Sequence, residues 1–335
     1  MYNTNTTNTM TNTMTNNTTM ETATMTNNNT NVFASMIADT AIDNIVSLAN
    51  SATLIEMSVS GWNASGTDDE VTNQVAADNN VQVEAKAAGV YKKFLMPKCK
   101  QLKEIKSFIG AIRNHHLSVT SPWSNNGIRL LANSYLFEYN AWYNNARAEL
   151  FQMVDQFLID YPTLIEDLEA GARFSLGDLY RPTDYPSVDE VRGKFKMSLD
   201  FMPVPAAGHF MIDTANAARD EVISIATRSA HARLAGAMEE SWRKMHTVLT
   251  NISTKLSDSD DGSRQIFRDT LLGNARDLVD MLQHLNFTRD PALDQAAAEL
   301  RRVLMATDIK EIRKDDNERR HVKAKVDDIL SKFNF

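Results

Sequence analysis

The residues that could do chemistry gather between Ala85 and His116. Lys86, Lys92, Lys93, Lys98, Lys100, Lys103, Lys106 and Arg113 lie there against a single acid, Glu104. Tyr91, Phe94, Phe108, His115 and His116 are interleaved with them. Cations that follow phosphates, with flat rings that take bases, are what binding of single-stranded nucleic acid requires. The competing reading is a solvated helix face whose lysines pair with acids elsewhere, with Phe94 and Phe108 in the core. The residue pattern leaves both open.

The remaining motifs are weaker. Glu318-Arg319-Arg320-His321 has the Glu-x-x-His spacing that places a carboxylate and an imidazole on one helix face, as in di-iron bundles. Such sites need a second copy and further glutamates, and this one stands alone among Asp315, Asp316 and two arginines, so it reads as a solvated face. Asp258-Ser259-Asp260-Asp261-Gly262 is similar to a calcium loop, but Arg268 falls where the bidentate Glu would sit. It reads better as a turn. No Cys or His cluster at metal spacing accompanies His115 and His116. Cys99 is a lone thiol and reads as packed or incidental. There is no Gly-x-Gly-x-x-Gly fingerprint, phosphate loop, Gly-x-Ser-x-Gly elbow or His-Glu-x-x-His pair. No cofactor, metal or catalytic set is therefore expected.

Bulk properties set the frame. Lys+Arg of 35 against Asp+Glu of 43 gives a formal charge of −8. That balance argues against a protein that coats duplex nucleic acid over its whole surface, and leaves room for a local basic groove. A hydrophobic content of 43% allows a sizeable core. With one cysteine no internal disulfide can form, which suits a reducing compartment. The N-terminus has no basic segment leading into an apolar stretch, and no apolar run approaches the roughly 18–20 residues of a membrane span. A soluble cytoplasmic protein is expected.

The elements that must position these residues are mostly helices. Residues 1–31 are nearly all Asn, Thr and Met, too polar to offset chain entropy by burial, and read as a disordered tail. Met25 or Met36 would serve as an alternative start. Val32–Ala49 has helical spacing, and 54–60 alternates as a half-buried strand. Residues 63–80 read as a loop leading into a short helix. From Val81 to about Leu117 the spacing predicts two basic helices broken at Pro97. Residues 120–127 form a turn by composition, and Ile128 to about Asp160 reads as a helix ended by Tyr161-Pro162, with a shorter helix following to about Arg173.

Ser187 and Glu190 form a capping box ahead of a second alternating strand, 195–202, predicted to pair antiparallel with 54–60. Thr214–Leu256 carries Met238, Trp242, Met245, Leu249, Ile252 and Leu256 at coiled-coil spacing. After a loop at Ser257–Ser263, Phe267, Leu271, Asn274, Leu278, Met281 and Leu285 repeat it, which predicts an antiparallel hairpin. Asp290-Pro291 opens another helix, and Val322, Val326, Ile329, Leu330 and Phe333 mark an amphipathic last one. The fold class is mainly α, with long antiparallel helices and one small antiparallel β pair. The expected organisation is a 1–31 tail, a 32–210 α+β core and a 211–335 helical region packed on it.

Four stretches together resemble a pattern in uncharacterised proteins of tailed bacteriophages. They are Thr120-Ser121-Pro122-Trp123 with Asn126-Gly127-Ile128-Arg129-Leu130-Leu131; Phe157-Leu158-Ile159-Asp160-Tyr161-Pro162; Leu176-Gly177-Asp178-Leu179-Tyr180 with Asp184-Tyr185-Pro186; and Lys194-Phe195 with Phe201-Met202-Pro203-Val204-Pro205. The resemblance covers roughly residues 85–215 and implies an origin, a phage protein in a bacterial cytoplasm, with no activity or site residue to carry over. A non-enzymatic role follows as the expectation, through helical contacts with itself or with another phage or host protein. The alternative is a single-stranded nucleic-acid binder or annealing accessory using Lys86–Arg113 and Tyr91. An enzyme with Arg129, Asp160, Asp178 and Tyr180 around a pocket is the third reading.

Overall fold

The computed structural model describes residues 48–81, 89–205, 216–257 and 268–333. The tail, nearly all of the Val32–Ala49 helix, Lys86 and the calcium-like loop fall outside them; residues 48 and 49 are helical as expected. Among the described residues there are six strands: β1 (Ala52–Ser60), β2 (Ser65–Thr67), β3 (Lys92–Phe94), β4 (Ser121–Pro122), β5 (Arg129–Ala132) and β6 (Lys196–Pro203). The predicted pairing is present, with β1 antiparallel to β6 from Thr53 opposite Pro203 to Ser60 opposite Lys196. It belongs to a larger sheet than expected, in the order β4-β5-β1-β6, with every neighbour antiparallel.

The extra strand β5 corrects the helix predicted from Ile128. Leu130, Leu131 and Ala132 are all buried, because the sheet is covered on both faces. Ile55, Val59, Leu131 and Met197 enter one core, and Leu54 and Leu130 enter another on the opposite side. A strand buried on both faces shows a continuous apolar run without alternation, and such a run cannot be told from a helix by periodicity.

Besides the helical residues 48–51, four α-helices of this part lie among the described residues: α1 (Asp69–Asp78), α2 (Lys100–Ser118), α3 (Leu136–Leu176) and α4 (Val188–Arg192). Pro162 does not end α3, contrary to expectation, but sits inside it. An internal proline loses one backbone bond and costs about 3 kcal/mol. The burial of Leu150, Val154, Phe157, Leu158 and Tyr161 around it offsets that cost. Trp62 closes the cluster, with its ring 5.7 Å from Tyr161 and edge-on to it. At α4 the capping box forms as predicted: the Ser187 side chain accepts from the Glu190 N–H, and the Glu190 carboxylate accepts from the Ser187 N–H.

The C-terminal part contains α5 (Asn216–Leu256), α6 (Asp269–Leu285), α7 (Pro291–Met305), α8 (Ile309–Lys314) and α9 (Asp316–Lys332). The α5 seam is buried as predicted, Met245, Leu249, Ile252 and Leu256 all being inaccessible. On α6 Leu285 is buried as predicted, but the rest of the buried line is Leu272, Ala275, Val279 and Leu282, each one residue beyond the predicted position; Asn274 is exposed. Leu271, Leu278 and Met281 pack only at the edge of a core. Because α5, α7 and α9 share that core with α6, its apolar residues serve two neighbouring lines, which a single seam cannot represent.

Asp290 caps α7 through the Ala292 N–H, 2.9 Å away. Arg319, at the start of α9, donates to the carbonyls of Lys255 and Leu256 at the end of α5, while the ring of Phe333 lies 5.9 Å from that of Trp242. The two helices therefore run antiparallel. Among the described residues, no helix is long and apolar enough to cross a membrane.

Candidate nucleic-acid interface

The basic stretch is not one helical face. Before Pro97 the expected helix is replaced, over the described residues, by β3, which pairs with β2: Ser65 opposite Phe94, Gly66 opposite Lys93, Thr67 opposite Lys92. A strand sends successive side chains to opposite faces. Lys92 and Phe94 therefore share the outer face with Ser65 and Thr67, and all four are exposed. Lys93 points the other way. Its ammonium, 1% exposed, lies 2.8 Å from Asp68 and donates to the Leu179 carbonyl at 3.2 Å and to the Asp184 carboxylate.

Lys93 thus leaves the set of candidate binding residues, for a physical reason. A cation spent on two carboxylates inside the protein is not available to a phosphate. The Lys93 side chain beside Asp68 holds that carboxyl below its ordinary value. Burial by itself would lower Lys93, but its bonds to Asp184 and Asp68 outweigh this and hold it above its ordinary value. Arg181 pairs with Glu70 and lies 3.8 Å from Asp68, completing a clamp that fixes β3 against α1 and the 182–184 turn. Tyr91 is held by its backbone, its N–H donating to Thr72 Oγ1 and its carbonyl accepting from the Asp68 N–H, both at 3.0 Å.

The remaining cations line the turn and α2. Lys92, Lys98, Lys100, Lys103, Lys106 and Arg113 are exposed. Leu102, Ile105, Ile109 and Ile112 bury the opposite side of α2 in the core, so the lysines between them must face outward. Lys106 and Arg113 also donate to the carbonyls of Asn63 and Val59, at 3.0 and 2.7 Å. Gly61 permits that close approach: a Cβ there would lie 2.7 Å from Ile109 Cδ1. Glu104 pairs loosely with Lys100 at 3.6 Å, and both are well exposed. Of the rings, Phe108 packs at the core edge, whereas Phe94 is 65% and Tyr91 40% exposed. Only recognising β3 as a strand would have separated Phe94 and Lys92 from Lys93.

The histidines are not ligands here. His115 stacks on Trp142 with centroids 4.1 Å apart. His116 is buried and shares a 2.7 Å hydrogen bond between Nδ1 and the Tyr139 hydroxyl. Around it lies a polar cluster that sequence reading missed, at the C-terminal end of α2. Lys244 of α5 donates to the carbonyls of Leu117, Ser118 and Thr120 at 2.8–3.0 Å. Arg129 of β5 donates to Thr120 Oγ1 and to the Thr120 carbonyl. Two cations thus satisfy carbonyls at the negative end of the helix dipole.

Burial pushes the Lys244 ammonium down to about 8, yet three carbonyl acceptors favour the charged form, and it stays protonated at neutral pH on either account. Replacing Lys244 with Met keeps the stem and removes all three bonds. That variant is expected to lose about 2 kcal/mol of stability, read as a lowered midpoint in thermal unfolding.

Arg129 and Asp160, two of the residues suggested for a catalytic pocket, do not come together. Asp160 accepts from Gln101 at the start of α2, whereas Arg129 binds at its end, a span of roughly 24 Å along the helix. Asp160 does line a cleft of about 430 Å³ with Cys99, Lys100, Gln101, Thr163 and Leu164. Its carboxylate is already engaged by Gln101 and Gln156, whose hydrogen bonds hold it below its usual value. Among the described residues, no three His, Cys, Asp or Glu side chains are grouped to hold a metal, and His321 is exposed. Comparisons with known proteins return no match, whether to protein-family models, to curated proteins or to solved structures.

Proposed function

We propose that this protein binds nucleic acid, without catalysing a reaction, through the outward cations of α2 and the turn before it. The observation that carries the reading is the separation of the lysines. One, Lys93, is consumed inside the protein, and Lys92, Lys98, Lys100 and Lys103 stand in solvent on consecutive elements with Glu104 the one acid among residues 92–113. The competing role, display of apolar helical seams to another chain, has less support, since Met245, Leu249, Ile252 and Leu256 of α5 and Val322, Val326 and Ile329 of α9 are buried.

The test is fluorescence anisotropy with labelled oligonucleotides at low and near-physiological salt. Binding should weaken as salt rises, each lysine that meets a single-strand phosphate adding about 0.7 to the logarithmic slope. The quadruple variant Lys92→Glu, Lys98→Glu, Lys100→Glu, Lys103→Glu should lose binding at least tenfold and keep its thermal midpoint, since all four side chains are exposed. Unchanged affinity in that variant would sink the assignment of the site.

A further inference from the structure

We infer that the outer face of the β2–β3 pair is a stacking platform, with Phe94 taking an unpaired base, so that the protein selects single strands over duplex. This rests on the nucleic-acid reading and adds to it the form of the ligand. A phenyl ring 65% exposed on a regular strand loses the burial that normally justifies an aromatic residue there. Phe94 is nonetheless held in place. The Leu95 N–H donates to the Ala64 carbonyl at 2.8 Å, and the Leu95 carbonyl accepts from the Tyr185 hydroxyl at 3.1 Å. Behind it, Lys93 is clamped by Asp68 and Asp184.

The platform is therefore rigid from behind and open in front. Its surroundings choose the occupant. On the same face Lys92 stands two residues from Phe94, across from Thr67, and Lys98 follows in the turn that leads to α2. An apolar ring flanked by exposed cations and hydroxyls suits a ligand with flat apolar faces on an anionic backbone, which is a nucleic-acid strand. In a duplex those faces are already stacked and out of reach, so a ring platform favours unpaired bases.

The measurement compares the single-strand and duplex affinities of wild type, Phe94→Ala and Phe94→Trp. Phe94→Ala should lose about tenfold or more on single strands, as expected for one base–aromatic stack, and little on duplex. Phe94→Trp should restore single-strand binding, with indole fluorescence quenched on addition of the oligonucleotide. If wild type binds and Phe94→Ala keeps its ratio of single-strand to duplex affinity, the platform is overturned while the basic interface stands. If wild type binds neither form at low salt, both fall.

Discussion

Replacing Lys93 with Met should destabilise the protein by about 3 kcal/mol, whereas the same change at its neighbour Lys92 should move stability by less than about 0.5 kcal/mol. The two residues are adjacent and chemically identical, and differ only in the face of β3 that carries them. Without the Lys93 ammonium, Asp68 (2% exposed) keeps only the Val71 N–H at 3.1 Å and the distant Arg181 guanidinium. A carboxylate left uncompensated inside a protein is what makes breaking a buried pair costly. Adding Asp68→Asn should recover much of the loss, because Asn keeps the acceptor that caps α1 but carries no charge. Chemical denaturation of the two singles and the double reads the coupling directly. A Lys93→Met variant as stable as wild type would show that β3 does not depend on its clamp.

Acid should unfold the protein in two separable stages, the first governed by His116. Burial pushes this imidazole from 6.5 down to about 4, and Arg129 of β5, the neighbouring His115 on α2 and Lys244 of α5 act in the same direction. Tyr139 is its hydrogen-bond partner, and burial pushes that phenol up, so it stays neutral. The unfolded chain takes up the histidine proton near pH 6.5 and the folded one near pH 4. Stability is therefore full above pH 6.5, falls as pH drops between those values, and is reduced by about 3 kcal/mol below them.

His115 and His231 are also lowered by burial and add to the same window. The contribution of Asp68 has the opposite sign of group and a lower range. Its depressed carboxyl stabilises the fold above 3.8 and that contribution is lost only as pH falls further. His116→Gln should remove the largest part of the pH 4–6.5 stage, leaving the smaller His115 and His231 contributions, and keep the lower stage intact, as followed by denaturation midpoints across pH. A wild-type midpoint constant from pH 7 to 4.5 would refute the assignment.

Local patterning determined a good part of this protein. The β1–β6 pairing followed from alternation in 54–60 and 195–202, and the caps at Ser187 and Asp290 followed from side chains that bond to N–H groups within three residues. The long α5 seam followed from its period, and all of these are short-range relations that spacing records directly. Only the tertiary structure decided the rest. β5 was hidden because burial on both faces erases alternation, and Pro162 stayed inside α3 because its neighbours are buried around it.

The division of the lysines was decided the same way. Composition places eight cations in one stretch, and no period tells which of them meets a carboxylate 91 residues away, as Lys93 meets Asp184. The cap of α2 by Lys244, 124–127 residues distant, is equally invisible along the chain. Charge and ring content are properties of the chain, but exposure belongs to the packed molecule, because it depends on which distant surfaces fold against each side chain.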